Sequence, residues 1–228
     1  MLSLFRSPAG KSAEPQRAYV FIVTYGRSGS TLLMGLLNSL PGYCIRGENG
    51  NALYGLFETH QRLLAARTER LKNAEQPTHP WFGLNLVDPA AVRAGMRRLF
   101  VDTVLCPEPQ HRVIGFKEIR FSQAEVPLFE AYVEFIRDTF PDCKIIFNHR
   151  NLADVAASGW WKNMPAAGDK LAFMEARFGA IPSSSWAHHF SYDAFVADPD
   201  YARGLMDFLG EPYDAEAMRR LLATRHSY

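Results

Sequence analysis

Residues 18–40 read AYVFIVTYGRSGSTLLMGLLNSL, and this stretch decides the fold. The run AYVFIVT has the length and the β-branched and aromatic content of a buried strand, while LLMGLLNSL repeats leucine at helical spacing. The segment TYGRSGST, residues 24–31, therefore joins a predicted strand to a predicted helix through a glycine-rich loop. Such junctions commonly hold a phosphate, because the first N–H groups of a helix lack backbone partners and carry partial positive charge.

The loop differs from the one that binds ATP or GTP. That loop needs Gly-Lys followed by a hydroxyl residue, whereas this one reads Arg27, Ser28, Gly29, Ser30. A Gly-Lys-Ser triplet does occur at residues 10–12, but Phe5 stands where its first glycine belongs, and the predicted strand follows the triplet instead of preceding it. We therefore predict that the loop at 24–31 binds a phosphate compound other than a nucleoside triphosphate.

Beyond the loop, short apolar strands alternate with longer helical patterns. This alternation predicts a three-layer α/β fold with a central, mostly parallel sheet flanked by helices. We expect a loose N-terminal lead-in over residues 1–17, a single domain over 18–228 and a long loop over 73–88. The predicted strands are AYVFIVT, YCIRG, RVIGFK, KIIFNHR and a fragment within HHFSYDAFV, and the predicted helices cover about 30–40, 51–72, 89–105 and 123–139.

Composition excludes several classes of protein. The formal net charge of +1 gives no global basic field for nucleic acid, and 47% hydrophobic with 21% charged residues is typical of a globular chain. No apolar run approaches the roughly 20 residues of a membrane span, and the N-terminal segment lacks the apolar core of a signal peptide. Three widely spaced cysteines show no metal-ligand pattern. We expect a cytoplasmic protein with no integral membrane segment, no nucleic-acid partner and no metal.

A second anion site is predicted where KIIFNHR ends. The following segment NLADVAASGWWK, residues 151–162, has a helical pattern with Asn151 as a cap and Asp154 in its first turn. On such a helix Ser158 lies two turns beyond Arg150, so the two side chains can converge only on a large, multiply anionic ligand. A second phosphate satisfies this requirement.

These segments resemble the sulfotransferases that use 3′-phosphoadenosine 5′-phosphosulfate (PAPS), a family with a P-loop-like architecture. TYGRSGST resembles their 5′-phosphosulfate loop, Arg150 with Ser158 resembles their 3′-phosphate site, and FSYDAFVADP resembles the tyrosine-acidic segment near the adenine. The resemblance spans residues 18–212 and implies a single sulfotransferase domain, PAPS as donor, adenosine 3′,5′-bisphosphate (PAP) as product and no metal. The residues that it implies for nucleotide binding are Tyr25, Gly26, Arg27, Ser28, Gly29, Ser30, Thr31, Arg150, Ser158 and Tyr192.

Two further strand ends, CIRGENG and GFKEIRF, offer reacting groups. Ligands of open α/β sheets gather at the carboxyl ends of the strands, where both segments fall. Adjacent strand residues point to opposite faces, so if Lys117 points at the donor, Glu118 points away. Glu48 has no such conflict, and it lies where several branches of the resembled family place their catalytic glutamate. The branch with a histidine two residues after the strand lysine is not matched, because Ile119 stands there.

The predicted catalytic residues are therefore Glu48 as the base, with Arg27 and Lys117 neutralising charge on the bridging oxygen. Arg27 stands where the family commonly has lysine. Two alternatives remain open: Glu118 as the base, and Glu48 paired with Arg46 on a solvated loop.

The acceptor is expected to be a hydroxyl of a small molecule or glycan, and by resemblance a carbohydrate or natural product. The aromatic-rich loop around Trp81 and Phe82, together with Trp160 and Trp161 after the second motif, can stack on a sugar or on a flat ring equally well. His188 and His189 are adjacent in a strand and should face opposite ways, which makes them a poor metal pair.

Two other functions fit part of the pattern: a nucleotide kinase of related fold, and a non-catalytic nucleotide- or glycan-binding domain. A kinase should have Gly-Lys and a hydroxyl residue in the first loop, which this chain lacks. A non-catalytic binder has no need for Arg27, Glu48 and Lys117 together.

Overall fold

The computed structural model describes residues 16–70, 72 and 74–223. Most of the expected lead-in and the rejected Gly-Lys-Ser triplet therefore lie outside the described residues. Within them, five strands form one sheet in the order β2-β3-β1-β4-β5, and every neighbouring pair is parallel. The strands are β1 Ala18–Val23, β2 Tyr43–Arg46, β3 Val113–Glu118, β4 Lys144–His149 and β5 Ala187–Ser191. The predicted parallel sheet is confirmed.

Helices connect and cover these strands. In the described part of the chain they are α1 Ser30–Asn38, α2 Ala52–Arg70, α3 Pro89–Phe100, α4 Phe129–Thr139, α5 Leu152–Ala156, α6 Ala167–Gly179, α7 Tyr192–Ala197, α8 Ala202–Leu209 and α9 Ala215–Ala223. A π-helical turn, Val101–Leu105, extends α3 to the predicted end. The helix predicted from residue 123 begins only at Phe129, because Pro127 disfavours a helical backbone at the residue before it. None of the described helices is long and apolar enough to cross a membrane.

Both faces of the sheet are buried, which explains the nearly continuous apolar runs of the strands. In β1 the side chains of Phe21 and Val23 enter one core with helices α2 to α6, while Val20 and Ile22 enter the opposite core with α1, α8 and α9. The alternation of side chains along the strand thus divides the molecule into helix, sheet and helix layers.

The order of the strands places three loops side by side at one edge. Strand β1 lies between β3 and β4, so the loop that follows it is flanked by the ends of both. Val23 is in register with Glu118, and the Thr24 N–H donates to the Glu118 carbonyl at 3.2 Å. The glycine-rich loop, the Lys117 strand end and the Arg150 strand end therefore meet at the carboxyl edge of the sheet.

Candidate active site

The loop after β1 is shaped to expose the start of α1. Arg27 and Gly29 both have positive φ angles, 67° and 76°, and the helix begins directly after them at Ser30. Among the described residues no side chain caps this helix, and its first turn contains no acidic residue. The Leu32 N–H donates to the Gly29 carbonyl at 2.9 Å, whereas the N–H groups of Ser30 and Thr31 have no backbone partner among the described residues and are available to an anion.

A buried polar brace holds the loop against β4. The Thr24 and Ser28 hydroxyls are hydrogen-bonded at 2.7 Å, and the Thr24 hydroxyl also lies 2.8 Å from the Asn148 carbonyl. The Asn148 side chain donates to the Ser28 carbonyl at 3.1 Å, and all three residues are fully buried. Thr24 and Asn148 are not among the site residues predicted from the sequence. A lone asparagine inside the apolar strand KIIFNH was the available signal, because buried amides need hydrogen-bond partners.

A cavity of about 700 Å³ lies in front of the loop and collects most of the predicted site residues. Tyr25 and Ser28 do not line it. Both are fully buried beneath the loop, and the Tyr25 hydroxyl accepts from the Arg150 N–H at 3.0 Å. Their side chains support the loop from below. The predicted residues that line the cavity are Gly26, Arg27, Gly29, Ser30, Thr31, Glu48, Lys117, Arg150, Ser158 and Tyr192.

Arg150 and Ser158 both line the cavity, but the helix predicted over residues 151–162 ends before it reaches Ser158. Helix α5 ends at Ala156, and Ser158 has an extended backbone with φ −110° and ψ 142°. Gly159 follows with a φ of 57°, a conformation that favours glycine, and a Cβ there would meet the Arg27 side chain at 3.0 Å. Ser158 therefore reaches the cavity through a loop, where its hydroxyl accepts from Arg27 Nε at 3.3 Å.

The Arg150 guanidinium lies at the cavity wall, and not all of its N–H groups have hydrogen-bond partners among the described residues. It donates from Nη1 to the Arg27 carbonyl at 3.0 Å and lies 4.7 Å from the centre of the Tyr192 ring. Its buried Nε has no hydrogen-bond partner among the described residues. Tyr192 itself is the first residue of α7 and not a strand residue, and its ring packs so tightly on the loop that a Cβ at Gly29 would lie 2.0 Å from it. The part of the guanidinium that lines the cavity can bind an anionic ligand.

Lys117 and Glu48 also line the cavity, where their side chains form an ion pair. Lys117 Nζ donates to Glu48 Oε1 at 2.6 Å, and Arg120 Nη1 lies 3.5 Å from Glu48 Oε2. The Lys117 side chain is 8% exposed and that of Glu48 is 32% exposed, so a ligand can reach the carboxylate. One carboxylate is therefore shared between two cations beside the anion-binding loop.

Glu118 faces away from this pair, as strand alternation predicts. Its carboxylate is fully buried and accepts four hydrogen bonds, from the N–H groups of Asn49 at 3.2 Å, Asn51 at 3.0 Å and Ile119 at 2.9 Å and from Arg120 at 3.1 Å. With every lone-pair direction occupied, Glu118 anchors the loop that carries Glu48.

Arg46 does not pair with Glu48, so that alternative is wrong. Its guanidinium donates from Nε to the Leu105 carbonyl at 2.9 Å and from Nη2 to the Cys106 carbonyl at 2.9 Å. The end of the π-helical turn leaves these carbonyls without helical partners, and Arg46 satisfies them.

A chain of hydrogen bonds runs beneath Arg150. His149 Nδ1 lies 2.8 Å from Glu175 Oε1, and His149 Nε2 lies 2.7 Å from His189 Nδ1. His189 Nε2 lies 2.7 Å from the Ile181 carbonyl, while His188 packs on Phe208 on the other face of the strand. The predicted divergence of the adjacent histidines is thus confirmed.

The protons of this chain can be counted. Burial would raise the pKa of Glu175, but hydrogen bonds from His149 and Tyr25 and the charge on His149 hold it below the ordinary value, so the carboxylate is ionised. A carbonyl and an ionised carboxylate can only accept, so the three contacts of His149 and His189 require three ring N–H groups. Two neutral imidazoles carry two, so all three contacts can be hydrogen bonds at once only when the two rings share a third proton.

In the described part of the chain no group of three or more His, Cys, Asp or Glu side chains is arranged to hold a metal ion.

Comparisons with known proteins give the family of the chain. The family model described as "Sulfotransferase family" matches residues 19–215. The sulfotransferase domain of the Synechococcus PCC 7002 olefin synthase is 18% identical, with a TM-score of 0.52 over 95% of this chain and 82% of that one. A sulfotransferase from Alicyclobacillus acidocaldarius is also 18% identical, with a TM-score of 0.44 over 90% of both chains. No curated protein matches the sequence.

Proposed function

Because the chain belongs to the sulfotransferase family, we propose that it transfers a sulfuryl group from PAPS to an acceptor hydroxyl and releases PAP. The observation that carries this proposal is the cavity of about 700 Å³, which is lined at once by the uncapped start of α1, by Arg150 and by the Lys117–Glu48 pair. Two anion-binding groups in one cavity suit a nucleotide with phosphates at both ends.

In this proposal the donor lies along the loop after β1. The N–H groups and hydroxyls of Gly29, Ser30 and Thr31 bind the 5′-phosphate, and Arg150 with Ser158 binds the 3′-phosphate. Tyr192 contacts the base or ribose beside Arg150.

The chemistry follows from the groups at the Lys117 wall. Glu48 takes the proton of the acceptor hydroxyl as its oxygen bonds to sulfur, and the bond from sulfur to the bridging oxygen breaks with its electron pair left on the 5′-phosphate. Lys117 and Arg27 stabilise the charge that grows on that oxygen. Positioning and charge stabilisation carry most of the rate in such loose transfers, and the two cations supply the stabilisation without a metal. We place the acceptor hydroxyl on a carbohydrate or natural product.

Ligand-dependent melting tests the donor. Saturating PAP should raise the melting temperature of the protein by several degrees, since about 2.7 kcal/mol is gained at a hundredfold excess over Kd. ATP and 5′-AMP should stabilise it far less, because neither has a 3′-phosphate for Arg150. Equal stabilisation by ATP and PAP would contradict the proposal and favour a nucleotide kinase.

A further inference from the structure

A second cavity of about 840 Å³ adjoins the first and shares four residues with it, Gly26, Glu48, Ile119 and Trp160. The Glu48 carboxylate therefore borders both spaces. The Trp160 ring lies over the loop, where a Cβ on Gly26 would be 2.2 Å from it, and 49% of this residue is exposed. The volume is within the range of sites that hold one small molecule.

Apolar side chains line the deep wall of this second cavity. Trp161 and Met174 are buried, with 7% and 2% of their surface exposed, and Met164 is partly buried beside them. The Trp161 indole N–H donates to the Gly26 carbonyl at 2.8 Å, so that residue has no donor left for a ligand. The deep wall thus presents an apolar surface.

Polar side chains occupy the rim of the cavity, and two of them are already hydrogen-bonded to each other. Gln123 and Lys170 are exposed, and the Ser122 hydroxyl donates to the exposed Glu125 at 2.7 Å. A sugar ring placed against the deep wall would lose water from its hydroxyls and gain no partner there, at a cost of about 1–3 kcal/mol for each unsatisfied group. A ring or chain without such hydroxyls gains free energy from the same burial.

Resting on the sulfotransferase function, we propose that the acceptor is a small alcohol or phenol with an apolar body, and not a saccharide. Its body packs against Trp161, Met164 and Met174, the Trp160 ring covers it, and its single hydroxyl reaches Glu48. The first cavity holds the donor at the same time, so the acceptor oxygen and the sulfur meet at the boundary that Glu48 borders. Transfer leaves the proton on Glu48 and the sulfuryl group on the acceptor oxygen.

Calorimetry on the PAP-saturated full chain compares 2-naphthol with N-acetylglucosamine as probes, and sulfuryl transfer from radiolabelled PAPS is measured for both. 2-Naphthol should bind at least about tenfold more tightly and be the compound that is sulfated. Met164→Gln should weaken 2-naphthol binding about tenfold and leave PAP affinity unchanged. The matched control is Met96→Gln, since Met96 is a partly buried methionine of α3 that lines neither cavity.

The outcomes distinguish a failure of the acceptor assignment from a failure of the proposed sulfotransferase function. Sulfation of N-acetylglucosamine but not 2-naphthol, with PAP bound normally, would overturn the apolar acceptor and leave the sulfotransferase function standing. Equal effects of Met164→Gln and Met96→Gln would also overturn it. Failure of the parent protein to bind PAP would overturn the proposed function itself, and the acceptor assignment with it.

Discussion

The carboxylate of Glu118 offers the sharpest test of how the site is built. This carboxylate is fully buried at the end of β3. Among the described residues it is the only hydrogen-bond acceptor of the Asn49 and Asn51 N–H groups. Its other oxygen accepts from the Ile119 N–H and from Arg120. Glu118→Gln keeps the shape of the side chain and replaces one oxygen by a donor amide.

The loss of stability in Glu118→Gln follows from the number of N–H donors that the carboxylate accepts from. The single amide oxygen can serve one pair of them, and the NH₂ group then faces the other pair, so two hydrogen bonds to a charged acceptor are lost. At roughly 1.5–3 kcal/mol each, with some relaxation of the loop, the loss of unfolding free energy should be about 3–5 kcal/mol. A domain of this size then melts roughly 6–20 °C lower.

Urea unfolding monitored by tryptophan fluorescence measures this loss, with Glu48→Gln as the matched control in the same cluster. Glu48 has 32% of its side chain exposed, and its amide oxygen can still accept from Lys117, so that variant should lose less than about 1.5 kcal/mol. A Glu118→Gln loss below about 1 kcal/mol, or one equal to that of Glu48→Gln, would refute the view that Glu118 anchors the loop.

Three further outcomes are expected. Arg150→Ala should weaken PAP binding by about ten- to a hundredfold in calorimetry, and Ser158→Ala by less because it removes one neutral hydroxyl; parental affinity in both variants would contradict the 3′-phosphate site. Glu48→Gln should bind PAP normally and lower turnover by roughly 10²–10⁴, the usual share of a general base, and near-parental turnover would reassign that role. Glu175→Gln should cost about 1 kcal/mol of stability near neutral pH, since the pair is partly solvated. The pKa of Glu175 is depressed in the folded protein, so this stabilisation is fully present above the ordinary glutamate value and is lost as the pH falls through the depressed folded value; a difference between Glu175→Gln and the parent that does not shrink on acidification would refute the ionised carboxylate.

Local sequence determined the elements and the character of the first loop. Strand β1, the turn at Gly29 and helix α1 follow from an apolar run, a glycine that adopts positive φ and leucines at helical spacing, all within residues 18–40. The parallel sheet follows from the alternation of strands and helices, because crossover connections return the chain in the same direction. The divergence of Lys117 and Glu118 required only the two-residue repeat of a strand.

Tertiary structure decided which of these groups meet. Glu48 and Lys117 are 69 residues apart in the chain, and their 2.6 Å contact exists because β2 and β3 are neighbours in the sheet. Local sequence patterns also did not indicate that Arg46 donates to carbonyls at the end of the π-helical turn. Nor did they indicate that α5 ends before Ser158. Backbone propensity acts over a few residues, whereas the free energy of a buried charge depends on partners that the packed fold brings from distant segments.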